Sequence, residues 1–160
     1  MGKTFLFLLF CLLSSGLFLT GFSKQENTEK AKLTETPAPE GALQIVVPPS
    51  VQGHWKSVEI AILDHKINAE TTYTINIGET FQVPDSPLYL RVDTFLPSFI
   101  VNDRQMTSES NETRNPAAYV TVIDGEEKIF SGWLFSLYPD AHAFHKARYN
   151  FNLTGYIPTN

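Results

Sequence analysis

Cysteine is nearly absent from this chain, and the one present falls where it cannot serve a folded domain. Among 160 residues only Cys11 occurs, inside an N-terminal apolar stretch with the marks of a removable signal. The mature chain therefore has no disulfide and no thiol chemistry, and its stability must come from its core. Positive charge is also scarce, with twelve Lys and Arg against seventeen Asp and Glu, a net charge of −5. Losing Lys3 with the signal leaves eleven basic against seventeen acidic residues, a net of −6. No basic stripe concentrates what remains, which argues against nucleic acid or an anionic lipid surface as a partner.

Catalytic signatures are missing as well. After residue 23 there is neither a Gly-x-Ser-x-Gly elbow nor a Ser-x-x-Lys pair, and no phosphate loop or dinucleotide fingerprint occurs. No internal repeat appears at any period. Glu126 and Glu127 beside Asp124-Gly125 are most simply a solvated hairpin tip. Without a nucleophile, base and orienting group in one constellation, the sequence predicts a non-catalytic protein and implies no cofactor.

Long apolar runs are confined to the N-terminus. Lys3 precedes Phe5 to Leu13, an unbroken apolar segment that Ser14-Ser15-Gly16 interrupts before Gly21-Phe22-Ser23. This is the layout of a secretory signal, residues 1–23, with cleavage expected before Lys24 and cleavage after Gly16 as the alternative. Such a signal places the protein in the periplasm or outside the cell. The competing reading keeps Phe5 to Phe22 as an uncleaved inner-membrane tether, approaching the ~20 apolar residues a span requires; only then would the protein contact a membrane. Lipid attachment is disfavoured, because Cys11 lies inside the apolar segment and Met1-Gly2 lacks a hydroxyl residue at position six.

Residues 24–42 carry Leu33 as their only large aliphatic side chain before Gly41, among Glu, Lys, Thr, Asn, Ala and Pro. A segment this polar cannot bury enough surface to offset its ordering entropy, so it is expected to be a disordered linker.

From residue 43 to 160 the apolar period is two. Val58, Ile60 and Ile62 alternate with Ser57, Glu59 and Ala61, and Tyr73, Ile75 and Ile77 alternate with Thr72, Thr74 and Asn76. The same holds for Leu88, Leu90 and Val92, then for Ala118, Val120 and Val122, and a closing strand runs through Tyr149, Phe151 and Leu153. Leu43 to Val47 and Thr80 to Val83 are shorter candidates. These are half-buried strands. Asp124-Gly125, before Lys128 to Phe135, predicts a two-residue type I′ hairpin. Turn signals at Gly78, Pro84 to Pro87 and Asn115-Pro116 complete an all-β pattern: one antiparallel β-sandwich or small barrel. One short helical turn, Asp140 to Lys146, follows Pro139.

Two stretches are candidates for contact with a partner. Thr107 to Asn115 is a polar loop whose Asn and Ser side chains can bond their own backbone, with Asn111 and Asn115 as candidate binding residues. In Phe130 to Phe135, Phe130, Gly132 and Leu134 face one side and Ser131, Trp133 and Phe135 the other. Large apolar groups thus emerge on both faces, either as covered core or as an exposed aromatic patch at Trp133 and Phe135. Gly132 permits close approach of a neighbour. An alternative site is Asp140 with His142 and His145, whose spacing could present metal ligands on one helix face, although two histidines fall short of a zinc signature.

These stretches also carry a resemblance. Leu96-Pro97-Ser98-Phe99, Thr107 to Glu112, Asn115-Pro116-Ala117-Ala118, Phe130-Ser131-Gly132-Trp133-Leu134-Phe135 and Pro139 to Phe144 together resemble the bacterial exported family labelled domain of unknown function 2155. The likeness runs from about Trp55 to Ile157. It implies an envelope setting and a single domain, and supplies no catalytic residue. Relatives with two cysteines in the domain transfer no disulfide-based role to this chain. The expected function is that of an exported binding or assembly module that meets another envelope protein; the alternative is a small-ligand or metal-binding periplasmic domain.

Overall fold

Side-chain alternation in the sequence becomes strands with one face dry. In the computed structural model, which describes residues 42–141, 144 and 148–160, the described residues form ten strands. These are β1 (Gln44–Ile45), β2 (Trp55–Asp64), β3 (Ala69–Asn76), β4 (Thr80–Gln82), β5 (Leu88–Leu96), β6 (Phe99–Asn102), β7 (Gln105–Ser108), β8 (Ala117–Asp124), β9 (Glu127–Phe135) and β10 (Tyr149–Pro158). All lie in one compact unit, Ala38–Asn160. The expected signal and all but the last residue of the expected linker fall outside the described residues.

Two sheets enclose the core, one in the order β10-β2-β3 and one in the order β4-β5-β8-β9. The pairings within them are antiparallel, and the fold is a β-sandwich rather than a closed barrel. Val58, Ile60, Ile62, Ile75, Phe151 and Leu153 from the first sheet meet Leu88, Leu90, Val92, Ala118, Val120, Val122 and Leu134 from the second. Each such aliphatic or aromatic side chain contributes about 1.5–3 kcal/mol when fully buried. In β5 the register shifts between Val92 and Thr94. That extra residue resets the alternation, so Phe95 is again turned inward and buried.

A third sheet, β1-β7-β6, lies over the outer face of β9. The sequence pattern did not reveal it. Thr107 and Ser108, expected within a loop, belong to β7, and β6 and β7 form a hairpin around Asp103-Arg104. Both turn residues have positive φ, 44° and 68°, the requirement of a type I′ turn. The type I′ geometry expected at Asp124-Gly125 is absent there. Asp124 pairs with Glu127, so Gly125 and Glu126 form the turn, and only Gly125 has positive φ. Glycine alone at the first central position is the type II′ arrangement.

The short helix expected over Asp140 to Lys146 appears as a 3-10 turn at Pro139–Ala141; His142, Ala143 and 145–147 lie outside the described residues. Phe144 is buried, with its ring centroid 5.2 Å from that of Phe130 and 5.0 Å from that of Phe151.

Candidate functional site

The sandwich has two seams, and they differ. Along one, β9 and β10 lie against each other. Along the other, β3 and the three-residue β4 are both sheet edges, joined by a type II turn over Asn76 to Glu79 in which Gly78 takes φ 89°. Tyr73 and Phe81 bridge this second seam with ring centroids 4.7 Å apart. Beyond that contact, towards the tip of the β2–β3 hairpin, the seam opens into a cleft of about 460 Å³.

The cleft has an apolar floor and a charged end. Ile62, Tyr73, Val83, Pro84 and Tyr149 line it, with Thr71 and Ala69 on the β3 side. At the far end Arg148 grips Asp64 by two nitrogens, Nη2 to Oδ2 at 2.7 Å and Nε to Oδ1 at 3.1 Å. The Arg148 guanidinium carbon also sits 4.7 Å from the centre of the Tyr149 ring. The hydrogen bond from Arg148, together with the backbone N–H of Lys66, holds the Asp64 carboxyl below its usual value; Arg148 is correspondingly raised by Asp64. The pair joins the end of β2 to the start of β10 and fixes one wall. The Tyr149 hydroxyl is buried without a hydrogen-bond partner among the described residues.

Beside the cleft runs the outer edge of β3, to which no strand pairs among the described residues. Its eight residues, Ala69-Glu70-Thr71-Thr72-Tyr73-Thr74-Ile75-Asn76, pair with β2 in unbroken register from Asp64↔Ala69 to Ser57↔Asn76. They include one charge, no proline, no glycine and no lysine. Ala69 to Thr72 and Thr74 are exposed, Tyr73 is half-buried and Ile75 is buried. By alternation Ala69, Thr71, Tyr73 and Ile75 point to the cleft and core side, and Glu70, Thr72 and Thr74 point outward.

The other edges carry devices that discourage strand addition. β1 and β6 have two and four residues. β10 has register shifts at Leu153/Gly155 and Ile157/Pro158 and ends in proline. β9 is bulged opposite Val122/Ile123 and opens with Glu127-Lys128. Shortness, bulges, proline and charge are the usual means of blunting an edge; β3 has a single charge, Glu70, and none of the others.

The described residues among those singled out in the sequence do not line the cleft. Trp133 is half-buried under the β6–β7 hairpin, 4.8 Å from Phe99 and 5.2 Å from Tyr119 by ring centroids, and its indole N–H donates to Met106 Sδ at 3.1 Å. Phe135 packs on the same Phe99 ring at 5.2 Å. This aromatic layer is neither the main core nor a bare patch, because a third sheet rests on it. Asn115 donates through Nδ2 to the Phe99 carbonyl at 2.9 Å, while its buried Oδ1 lacks a partner among the described residues.

Asn111 accepts from the Trp55 indole at 2.7 Å, tying the polar loop to the Trp55–Phe95–Tyr156 cluster at the opposite end of the sandwich. Within that loop Ser108 Oγ accepts from the Ser98 amide and donates to the Ser110 carbonyl. Gly132 lies under the Phe130 ring, where a Cβ would come within 2.5 Å of its Cζ. Asp140 is exposed in the 3-10 turn, and His142 and His145 lie outside the described residues. Among the described residues no group of three or more His, Cys, Asp or Glu could hold a metal ion.

The β3 strand was visible in the sequence as an alternating run, but nothing local marks a strand as an edge. Asp64 and Arg148 are 84 residues apart, and no spacing rule pairs them.

No curated protein and no solved structure matches this chain. A family model described as "Uncharacterized protein conserved in bacteria (DUF2155)" matches residues 58–155. That span covers β2 through most of β10, including the cleft, the β3 edge and the aromatic layer, and the chain belongs to this family of domains of unknown function.

Proposed function

We propose that this protein is an exported, non-catalytic binding or assembly module of the bacterial envelope that engages a partner protein by accepting an extended segment along β3. The observation that carries the proposal is the unprotected eight-residue edge of β3 in a fold whose other edges are short, bulged, charged or proline-bearing. An open row of backbone donors and acceptors is a template for another strand, and strand addition is a recurrent mode of peptide recognition. The exported setting rests on the N-terminal signal pattern, residues 1–23.

The test is site-specific photo-cross-linking in living cells. A photoreactive phenylalanine analogue at Thr74, exposed on β3, is expected to give a discrete adduct with another envelope protein. The same group at Thr154, exposed on β10, is expected to give none. Equal labelling from both edges, or adducts from Thr154 alone, would overturn the proposal. A second reading, a small ligand held in the cleft, is favoured by a volume within the ~300–1,000 Å³ of ligand sites. It predicts no protein adduct from Thr74 and a bound small molecule in native mass spectrometry.

A further inference from the structure

We infer that the segment received by β3 is an extended peptide with large apolar side chains at alternate positions, two of which enter the cleft. This inference rests on the strand-addition reading and adds what the incoming segment must look like.

A strand added to β3 would lie about 4.8 Å beyond it, with alternate side chains on the two faces of the extended sheet. On the outer face it would lie beside Glu70, Thr72 and Thr74, all exposed and polar. On the inner face it would lie beside Ala69, Thr71 and Tyr73, which border the cleft. Ala69 and Thr71 are small, and although Ile62, Val83 and Tyr149 of the floor are themselves buried, Pro84 and Ile67 present exposed apolar surface to the cleft. The cleft ends at the Tyr73–Phe81 contact on one side and at the Arg148–Asp64 pair on the other. Between these limits only the positions opposite Ala69 to Tyr73 have space beneath them. Successive inward side chains are about 7 Å apart, so two of them share the 460 Å³ available. Pro84, Ile67 and Tyr73 offer apolar contact, the Arg148–Asp64 pair is internally satisfied, and Lys66 and Asp85 add one charge of each sign to the lining. Large aliphatic or aromatic side chains therefore suit its apolar part.

A second copy of this chain is a poorer occupant. Antiparallel pairing of β3 with itself about Thr72 would set Tyr73 and Ile75 of one copy opposite Thr71 and Ala69 of the other. Those large side chains are already committed within their own domain, Ile75 buried in the core and Tyr73 against Phe81, and cannot also fill a neighbour's cleft.

Two octapeptides of identical composition test the inference. One, Lys-Thr-Leu-Thr-Val-Thr-Leu-Lys, alternates its apolar residues; the other, Lys-Thr-Thr-Leu-Val-Leu-Thr-Lys, places them side by side. The purified protein is expected to bind the alternating peptide at least about tenfold more tightly, with amide-exchange protection concentrated on Ala69–Asn76. Thr71→Lys, which puts a charge at the cleft mouth on an exposed position, is expected to abolish that preference, whereas Thr72→Lys on the outer face preserves it. Equal affinity for both peptides at β3, or binding of neither, overturns the inference and leaves the edge reading to the cross-linking result. Protection outside β3 counts against both. Dimerisation in sedimentation that Thr71→Lys disrupts would make the occupant a second copy and overturn the inference.

Discussion

The two edges of the β10-β2-β3 sheet share one central strand and have opposite properties. β10 is interrupted by two register shifts, ends in Pro158, and lies against β9. Beside one of its bulges, Gly155 leaves room for the Glu59 side chain, which a Cβ there would strike. β3 keeps perfect register with β2, carries only Glu70 as a charge and opens onto a cleft. Bulges and proline spoil a ladder, while a straight and nearly neutral strand extends one. One edge thus closes the fold, and the other is left available.

If that division of labour is right, damage to β10 should be paid in stability and damage to β3 in binding. The largest expected effect is at Phe151, fully buried on β10. Phe151→Ala should destabilise the protein by roughly 3–5 kcal/mol, a large share of the stability of a small domain; chemical denaturation measures it. A loss below about 1 kcal/mol would mean that β10 does not anchor the core.

Next in size is Trp133→Ala. A fully buried tryptophan would cost ~3–5 kcal/mol, but Trp133 is half-buried beneath the third sheet, so about 2–3 kcal/mol is expected. Amide exchange should rise first in β6 and β7, which rest on it. A melting curve unchanged from wild type would show that the aromatic layer holds nothing in place.

A smaller effect of opposite sign is expected where the cleft meets the core. The Tyr149 hydroxyl is buried and unpaired among the described residues, a condition that costs about 1–3 kcal/mol. Tyr149→Phe should therefore raise stability by about 1 kcal/mol, and a loss of stability on denaturant titration would reveal a partner for that hydroxyl.

The cleft wall also gives stability a pH dependence. Asp64 is held below its ordinary value by Arg148, so its contribution is present above the unfolded-state value of about 4. It is lost as pH falls through the lower, folded-state value. Melting temperatures followed from pH 7 to pH 3 should drop more steeply in the wild type than in Asp64→Asn. Superimposable curves would remove the ion pair from the account.

How far the sequence revealed these features depended on the range of the interactions involved. Alternation identified β2, β3, β5, β8 and β10, because burying one face of a strand imposes a period of two on nearby residues. The β6–β7 hairpin was missed because its turn is Asp103-Arg104. Type I′ turns are usually announced by glycine, and an arginine at positive φ gives no such notice. Trp133 and Phe135 stood out, but whether a strand's outer face is bare depends on Phe99 and Met106, which a third sheet brings from elsewhere in the chain. Edge status and the Asp64–Arg148 contact are wholly non-local, so the candidate site was not legible even though most of its strands were.

The role proposed for β3 is that of an open edge serving a partner rather than the fold. Thr71→Lys, measured in one protein for both properties, separates the two. Thr71 is exposed, and an inward-pointing charge is how natural proteins blunt an edge without harming the sheet. Stability should stay within about 0.5 kcal/mol of wild type, while the photo-adduct formed from Thr74 falls at least about tenfold. An undiminished adduct would contradict the claim, and so would a loss of adduct explained by unfolding of the variant.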